Sequence, residues 1–78
     1  MEGAEPHVVV DTRGLFCPVP IIKTSEAIRG LKSGSVVEVI SDDPAIEFDL
    51  PAWCKSVGHA ITSQKKSGGD FHYWVRKK

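Results

Sequence analysis

Cysteine is scarce in this chain of 78 residues: only Cys17 and Cys54 are present. Two thiols far apart in sequence do not make the disulfide framework of a small secreted domain. Neither lies in a Cys-x-x-Cys pair, so a zinc ribbon and a thioredoxin-type redox motif have no support. His7, His59 and His72 are scattered and lack metal-ligand spacing. No metal or organic cofactor is expected. An excess of charge of either sign is also missing, with 10 basic and 10 acidic residues and a formal net charge of zero. That speaks against direct nucleic-acid binding, which rests on surplus Lys and Arg; Arg76-Lys77-Lys78 is a local cluster only. No apolar run approaches the roughly 20 residues of a membrane span, and no charged-then-apolar signal segment opens the sequence. The expected compartment is therefore the reducing cytoplasm, with both cysteines as free thiols.

What is present fits a single domain over 1–78, with 1–6 frayed and the free protein a monomer. A chain this short buries a thin core and has no room for a deep cavity. Any chemistry must rest on few residues near the surface.

The β-branched run Val8-Val9-Val10 reads as a first strand. Pro18 opens a helical stretch in which Ile21, Ser25, Ile28 and Leu31 recur at three-to-four-residue spacing, with Lys23, Glu26 and Arg29 outward. Gly34 is read as its stop. Val36 to Ile40 forms a second strand, closed by Asp42-Asp43-Pro44, where Asp43 suits an N-cap and Pro44 the first helical position. Ala45 to Val57 is helical in pattern. Pro51 predicts a break near Asp49-Leu50, because proline lacks the donor and crowds the preceding turn. Gly58 ends the segment. Ala60 to Lys65 is a polar third strand, Ser67-Gly68-Gly69-Asp70 a turn, and Phe71 to Arg76 a fourth strand. In that last strand Phe71, Tyr73 and Val75 share one face, with His72, Trp74 and Arg76 on the other.

The order β-α-β-α-β-β predicts an α+β two-layer sandwich: a mixed four-stranded sheet with two helices on one face. Two right-handed crossovers imply parallel pairing, and the closing hairpin adds an antiparallel strand. Trp74 on the uncovered face is expected to be an exposed aromatic.

The chemically informative segment is Asp11-Thr12-Arg13-Gly14-Leu15-Phe16-Cys17-Pro18-Val19-Pro20. With Pro18 at the first helical position, Cys17 becomes the N-cap, and its sulfur meets the positive end of the helix dipole. That placement predicts a lowered thiol pKa and a nucleophile that needs no neighbouring base. Pro20 removes one capping donor, leaving the Val19 N–H as the local backbone donor to the thiolate. Serine, threonine, aspartate and asparagine cap helices better than cysteine, so a cysteine here calls for a reason beyond capping.

At these residues the sequence resembles the TusA/SirA family of small sulfur-carrier proteins. Asp11…Gly14-Leu15-x-Cys17-Pro18-x-Pro20 is similar to the family's active-site segment. Asp42-Asp43-Pro44-Ala45, Asp49-x-Pro51 and Gly58-His59 resemble its later landmarks, in order and spacing. The resemblance implies a two-layer α/β fold and sulfur relay as a persulfide on Cys17. It implies a sulfur-donor protein of cysteine desulfurase or rhodanese type and an acceptor sulfur-relay protein. The routes known in the family are tRNA thiolation, molybdenum cofactor biosynthesis and sulfur oxidation. The first variable position of Cys-Pro-x-Pro is often acidic in tRNA-directed members and is Val19 here, so the route stays open.

Other residues carry milder expectations. Cys54 falls on the apolar face with Leu50 and Val57 and is expected to pack rather than to resolve a disulfide. Asp42 and Asp43 should lie near Cys17, because loops following parallel strands open on one sheet edge. Their expected roles are capping or acid–base work, or contact with a partner's basic residues; carboxylates near Cys17 would also raise the thiol pKa, opposing the helix dipole. His59 is expected at the opposite edge. Arg13 and Lys23 are better candidates than His59 for neighbours of the thiolate, with a solvated surface charge as the favoured alternative for each. The rival to a persulfide carrier is a non-enzymatic interaction module or a thiol redox sensor.

Overall fold

A computed structural model describes residues 8–78; the expected fraying of 1–6 lies outside the described residues. The elements are β1 (Val8–Asp11), α1 (Val19–Arg29), β2 (Val36–Ser41), α2 (Ile46–Val57), β3 (Ala60–Ser67) and β4 (Asp70–Arg76). Their order and the mixed four-stranded sheet agree with the sequence reading.

The strands lie side by side as β1-β2-β4-β3. β1 pairs parallel with β2, whereas β4 pairs antiparallel with both β2 and β3. The second crossover therefore creates no parallel pair, contrary to expectation, because β4 is inserted between β2 and β3. The two strands' burial explains the arrangement. β4 alternates buried Phe71, Tyr73 and Val75 with half-buried residues, while β3 is exposed from Thr62 to Ser67. The strand with apolar surface to bury takes the interior position, and the lysine-bearing strand takes the edge, where charge discourages further pairing.

The core lies between the sheet and the two helices. Val37, Val39, Phe71, Tyr73 and Val75 come from the sheet, Ile28 from α1, and Ile46, Leu50 and Cys54 from α2. Burying a side chain such as Leu50, which is fully buried, contributes about 1.5–3 kcal/mol. On the uncovered face Trp74 is half-buried rather than exposed. The His72 ring stacks on it at 6.1 Å between centroids, and His72 Nδ1 meets the Glu38 carboxylate at 2.8 Å.

Both helices depart from the expected boundaries in instructive ways. α1 ends at Gly30, four residues before Gly34. The Lys77 ammonium takes over the last turn there, donating to the carbonyls of Arg29 and Leu31. Gly34 serves instead in the turn into β2, at φ 88°, with its N–H on the Lys77 carbonyl. The buried stripe of α1 is Pro20, Thr24 and Ile28, with Ile21 and Leu31 at its margin. Thr24 is tolerated inside because its hydroxyl donates to the Pro20 carbonyl at 2.8 Å.

α2 runs unbroken through Pro51. Pro51 is exposed, so the carbonyl it leaves without an i+4 donor faces water. Ile46, Leu50 and Cys54 meanwhile hold the opposite face in the core. Packing outweighs the local cost of proline here. Gly58 ends α2 as expected, in the left-handed region at φ 91°, with its N–H on the Cys54 carbonyl.

Candidate functional site

The loop from β1 to α1 is fastened at three points before it reaches Cys17. Thr12 is fully buried, and both its N–H and its hydroxyl donate to the Ile40 carbonyl, at 2.7 and 2.6 Å. Gly14, at φ 84°, donates its N–H to the Asp42 carboxylate at 3.0 Å. The Cys17 N–H donates to Asp43 Oδ2 at 3.2 Å. The other oxygen of Asp43 accepts from Ala45 N–H at 3.1 Å and so opens the turn that becomes α2. α2 itself begins at Ile46 with Ala45 as its N-cap and no side-chain cap, so Asp43 is not the expected N-cap; it holds the turn before the helix and ties the thiol loop to that turn. The two carboxylates that follow β2 act on the backbone of the Cys17 loop.

The local geometry at Cys17 differs from the expected N-cap. α1 starts at Val19, Pro18 occupies the N-cap position, and the Cys17–Pro18 peptide is cis. The Val19 N–H, the expected donor to the thiolate, donates instead to the Phe16 carbonyl at 2.8 Å. Cys17 thus stands one residue before the cap, exposed, with no backbone donor from the helix start committed to its sulfur.

The charge on the thiol is also opposite to expectation. The Cys17 pKa is pushed up, chiefly by the Asp49 carboxylate, with smaller contributions from lost hydration and from the negative charge of Asp43. The candidate cations do not offset this. Arg13 is held by Asp11, with Nη2 on Oδ2 at 2.7 Å and Nε on Oδ1 at 3.0 Å, and its Nη1 reaches Asp70 at 3.2 Å. Lys23 is exposed on α1.

Cys17 shares a crevice with Pro20, Ile21, Asp43, Ile46 and Asp49, between the starts of α1 and α2. The crevice is too narrow to hold a water molecule. Exposed apolar side chains neighbour its lining residues in sequence: Phe16, beside Cys17, is 75% and Phe48, beside Asp49, 77% exposed, with Ile22 half exposed. The site is thus an exposed thiol on a loop held by Asp42 and Asp43, in a crevice shared with Asp43 and Asp49.

The second thiol is placed as expected. Cys54 is 3% exposed in the core, and burial pushes its pKa up to about 11. His59 also lies away from Cys17: it packs at 5.2 Å against Trp53 and accepts from the Lys78 N–H at 3.0 Å, beside the C-terminal end of β4.

Asp49 and the aromatic pair Phe16 and Phe48 are the site residues that sequence reasoning did not single out. A signal for Asp49 was available. It precedes Leu50 on the flank of the Ile46, Leu50 and Cys54 stripe, so a continuous α2 turns it toward α1. The expected break at Pro51 hid that.

The family model described as "Sulfurtransferase TusA" matches residues 8–77. Over 78 residues the chain is 38% identical to "Sulfur carrier protein TusA" of Pseudomonas putida strain GB-1, covering 100% of this chain and 98% of that one. It is 41% identical over 69 residues to "Putative sulfur carrier protein YrkI" of Bacillus subtilis strain 168, covering 88% of this chain and 92% of that one. The crystal structure of a SirA-like protein from Desulfitobacterium hafniense matches with a TM-score of 0.79, covering 88% of this chain and 95% of that one. At 24% identity that last likeness concerns the fold.

Proposed function

Because the chain belongs to the TusA sulfurtransferase family, we propose that it carries sulfane sulfur as a persulfide on Cys17, between a donor protein and an acceptor protein. The observation that carries this reading is the contrast between an exposed thiol on a backbone-fastened loop and a second thiol sealed in the core. A sulfur passed between proteins must be reachable by both, and only Cys17 is.

Loading begins when Cys17 gives up its proton. Its sulfur forms a bond to the terminal sulfur of a persulfide on the donor's cysteine. The donor's sulfur–sulfur bond breaks, and its departing thiolate takes up a proton. The products are Cys17–S–SH and a donor thiol, with no net oxidation or reduction. Unloading repeats the exchange, with an acceptor thiolate attacking the terminal sulfur of the Cys17 persulfide.

Recognition rests on surface docking. Phe16 and Phe48 offer rigid apolar anchors of the kind that dominate protein interfaces, and Asp42 and Asp43 hold the intervening loop in one conformation. A cysteine desulfurase or a rhodanese-type protein is the fitting donor class. The acceptor is a sulfur-relay protein in tRNA thiolation or another sulfur-trafficking route.

The test is mass spectrometry after incubation with a persulfide donor. A gain of one sulfur, removed by reductant, is expected in the wild type and is absent in Cys17→Ser. Loading that survives in Cys17→Ser would remove Cys17 from this role.

A further inference from the structure

The carrier reading gives Cys17 a task, and this inference rests on that reading; the surroundings of Cys17 raise the separate question of when its thiol is active. The sheet topology gathers Asp11 at the end of β1, Asp42 and Asp43 after β2, and Asp70 at the start of β4 on the edge that carries Cys17. Glu47 and Asp49 join them from the start of α2. The chain is neutral overall, yet at this end these six carboxylates outnumber Arg13 of the loop and Lys65 and Lys66 of β3, which the register sets beside His72 and Phe71. Arg29, Lys32, Lys55, Arg76 and Lys77 lie at the ends of α1, α2 and β4, toward the other edge.

The groups around the thiol come from every element packed there. Asp49 comes from α2 and shares the crevice. From the segment between β2 and α2 come Asp43, occupied by two backbone N–H groups, and Asp42, occupied by the Gly14 N–H. Arg13 lies in the thiol's own loop and is neutralised by Asp11 and Asp70. Lys23 on α1 points to solvent. Of the two carboxylates that line the crevice, Asp49 is the one with no backbone N–H on it among the described residues, and no water fits in the crevice it shares with Cys17. A charge facing a sulfur across an unhydrated gap is poorly screened from that side.

We propose that Asp49 is a positioning residue that holds Cys17 as a neutral, poorly reactive thiol in the free protein, and that a docking protein carrying a cationic rim around its own cysteine cancels this hold. A thiolate faced by a carboxylate is disfavoured, while a guanidinium or ammonium brought against Asp49 reverses the sign of the local field. Attack then starts only within the complex. The free protein is protected from stray alkylation and oxidation, which follow thiolate character. Charge complementarity identifies the occupant as a basic edge on a donor or acceptor protein rather than a second acidic thiol edge of this chain.

The experiment measures alkylation of Cys17 by iodoacetamide, a neutral reagent, from pH 6 to 10, with the fold checked by circular dichroism. Asp49→Asn is expected to react severalfold faster than wild type at pH 7, with its pH midpoint lowered; Asp49→Glu, which keeps the charge, should return toward wild-type behaviour. A hexa-arginine peptide at low ionic strength, standing in for the basic edge, should accelerate the wild type and leave Asp49→Asn nearly unchanged. A midpoint unmoved by Asp49→Asn would overturn the proposal. So would a peptide effect that is absent in the wild type or equal in both proteins. The peptide comparison on the wild type requires no variant to fold. Sulfur loading is read separately by mass spectrometry, so the carrier function can stand if this inference falls.

Discussion

Cys17 and Cys54 differ in almost everything except the direction in which their thiols are displaced. Cys54 is in the core, and its pKa rises because a thiolate there would lose its water. Cys17 is exposed, and its pKa rises chiefly because a carboxylate faces it. The two causes respond differently to a partner. Desolvation in a packed core is undone only by opening the fold, whereas an electrostatic hold at the surface is undone by bringing up a charge. If Asp49 holds Cys17 as proposed, the same chemical group is inert in one region and conditionally reactive in the other, and the neighbours decide which.

The change expected to disturb the Cys17 side most is Asp43→Ala. It removes the acceptor that holds the turn before α2 and the brace on the Cys17 N–H in one step. Losing the acceptor of these two backbone N–H groups costs on the order of 1 kcal/mol per bond, which in a domain of this size lowers Tm by several degrees. Asp43→Asn keeps an acceptor oxygen and removes the charge, so it should recover much of that loss while making Cys17 easier to ionise. Thermal melts and alkylation rates on both variants separate the brace from the charge. Equal melting temperatures for Asp43→Ala and wild type would show that the Cys17 loop is held by other means.

Next in size is Cys54→Ala. Truncating a buried side chain should cost on the order of 1 kcal/mol and leave sulfur loading near its wild-type level. In the wild type, Cys54 should be alkylated only at the rate of global opening, rising with urea, while Cys17 reacts from the native state. A Cys54→Ala protein that loads sulfur but cannot release it would give the buried thiol a chemical role and dissolve the contrast between the two.

How much of this was legible in the sequence differs between the same two regions. The surroundings of Cys54 follow from periodicity: Leu50 and Cys54 share a helical face, and Gly58 closes the helix. Alternation in β4 likewise separates Phe71, Tyr73 and Val75 from Trp74 correctly. In both places a local rule suffices, because burial of one apolar face outweighs every other influence. Around Cys17 the local rule failed. Helix-start signals put the sulfur at the cap and predicted a lowered pKa, but the cap falls on Pro18 and the local N–H goes to Phe16. The carboxylate that shares the crevice with the thiol is Asp49, 32 positions away in sequence and brought near by the docking of α2 on α1. Of the two roles open to Arg13, thiolate neighbour or surface charge, the structure shows the second, because Asp11 and Asp70 claim it first. Strand order was hidden for a similar reason: the competition between β3 and β4 for the interior is settled by burial across the whole sheet. Topology correctly brought Asp42 and Asp43 to the Cys17 edge, though the backbone N–H groups they hold were beyond its reach.

The smallest effect tests whether Arg13 is kept from the thiol by its own ion pairs. Arg13 binds Asp11 through two side-chain nitrogens, and its backbone N–H also donates to Asp11 Oδ1 at 3.1 Å. These contacts hold the Asp11 carboxyl at about 2, below its usual 3.8. A carboxylate with a depressed folded pKa adds stability that is present above its unfolded pKa and is lost as pH falls through the folded one. The contribution should therefore be full at pH 5 and fade between about pH 4 and about pH 2. The pair is solvent-exposed, so the effect should be small and should weaken in high salt. Asp11→Asn should abolish this component of the acid dependence in urea melts at low ionic strength. It should also free part of the Arg13 charge, which still reaches Asp70, and so speed Cys17 alkylation slightly at neutral pH. Cys54 should not respond, because no change of surface charge relieves the burial that holds its proton. A matching rise in Cys54 reactivity would mean that Asp11→Asn had loosened the fold rather than altered the field at the thiol edge.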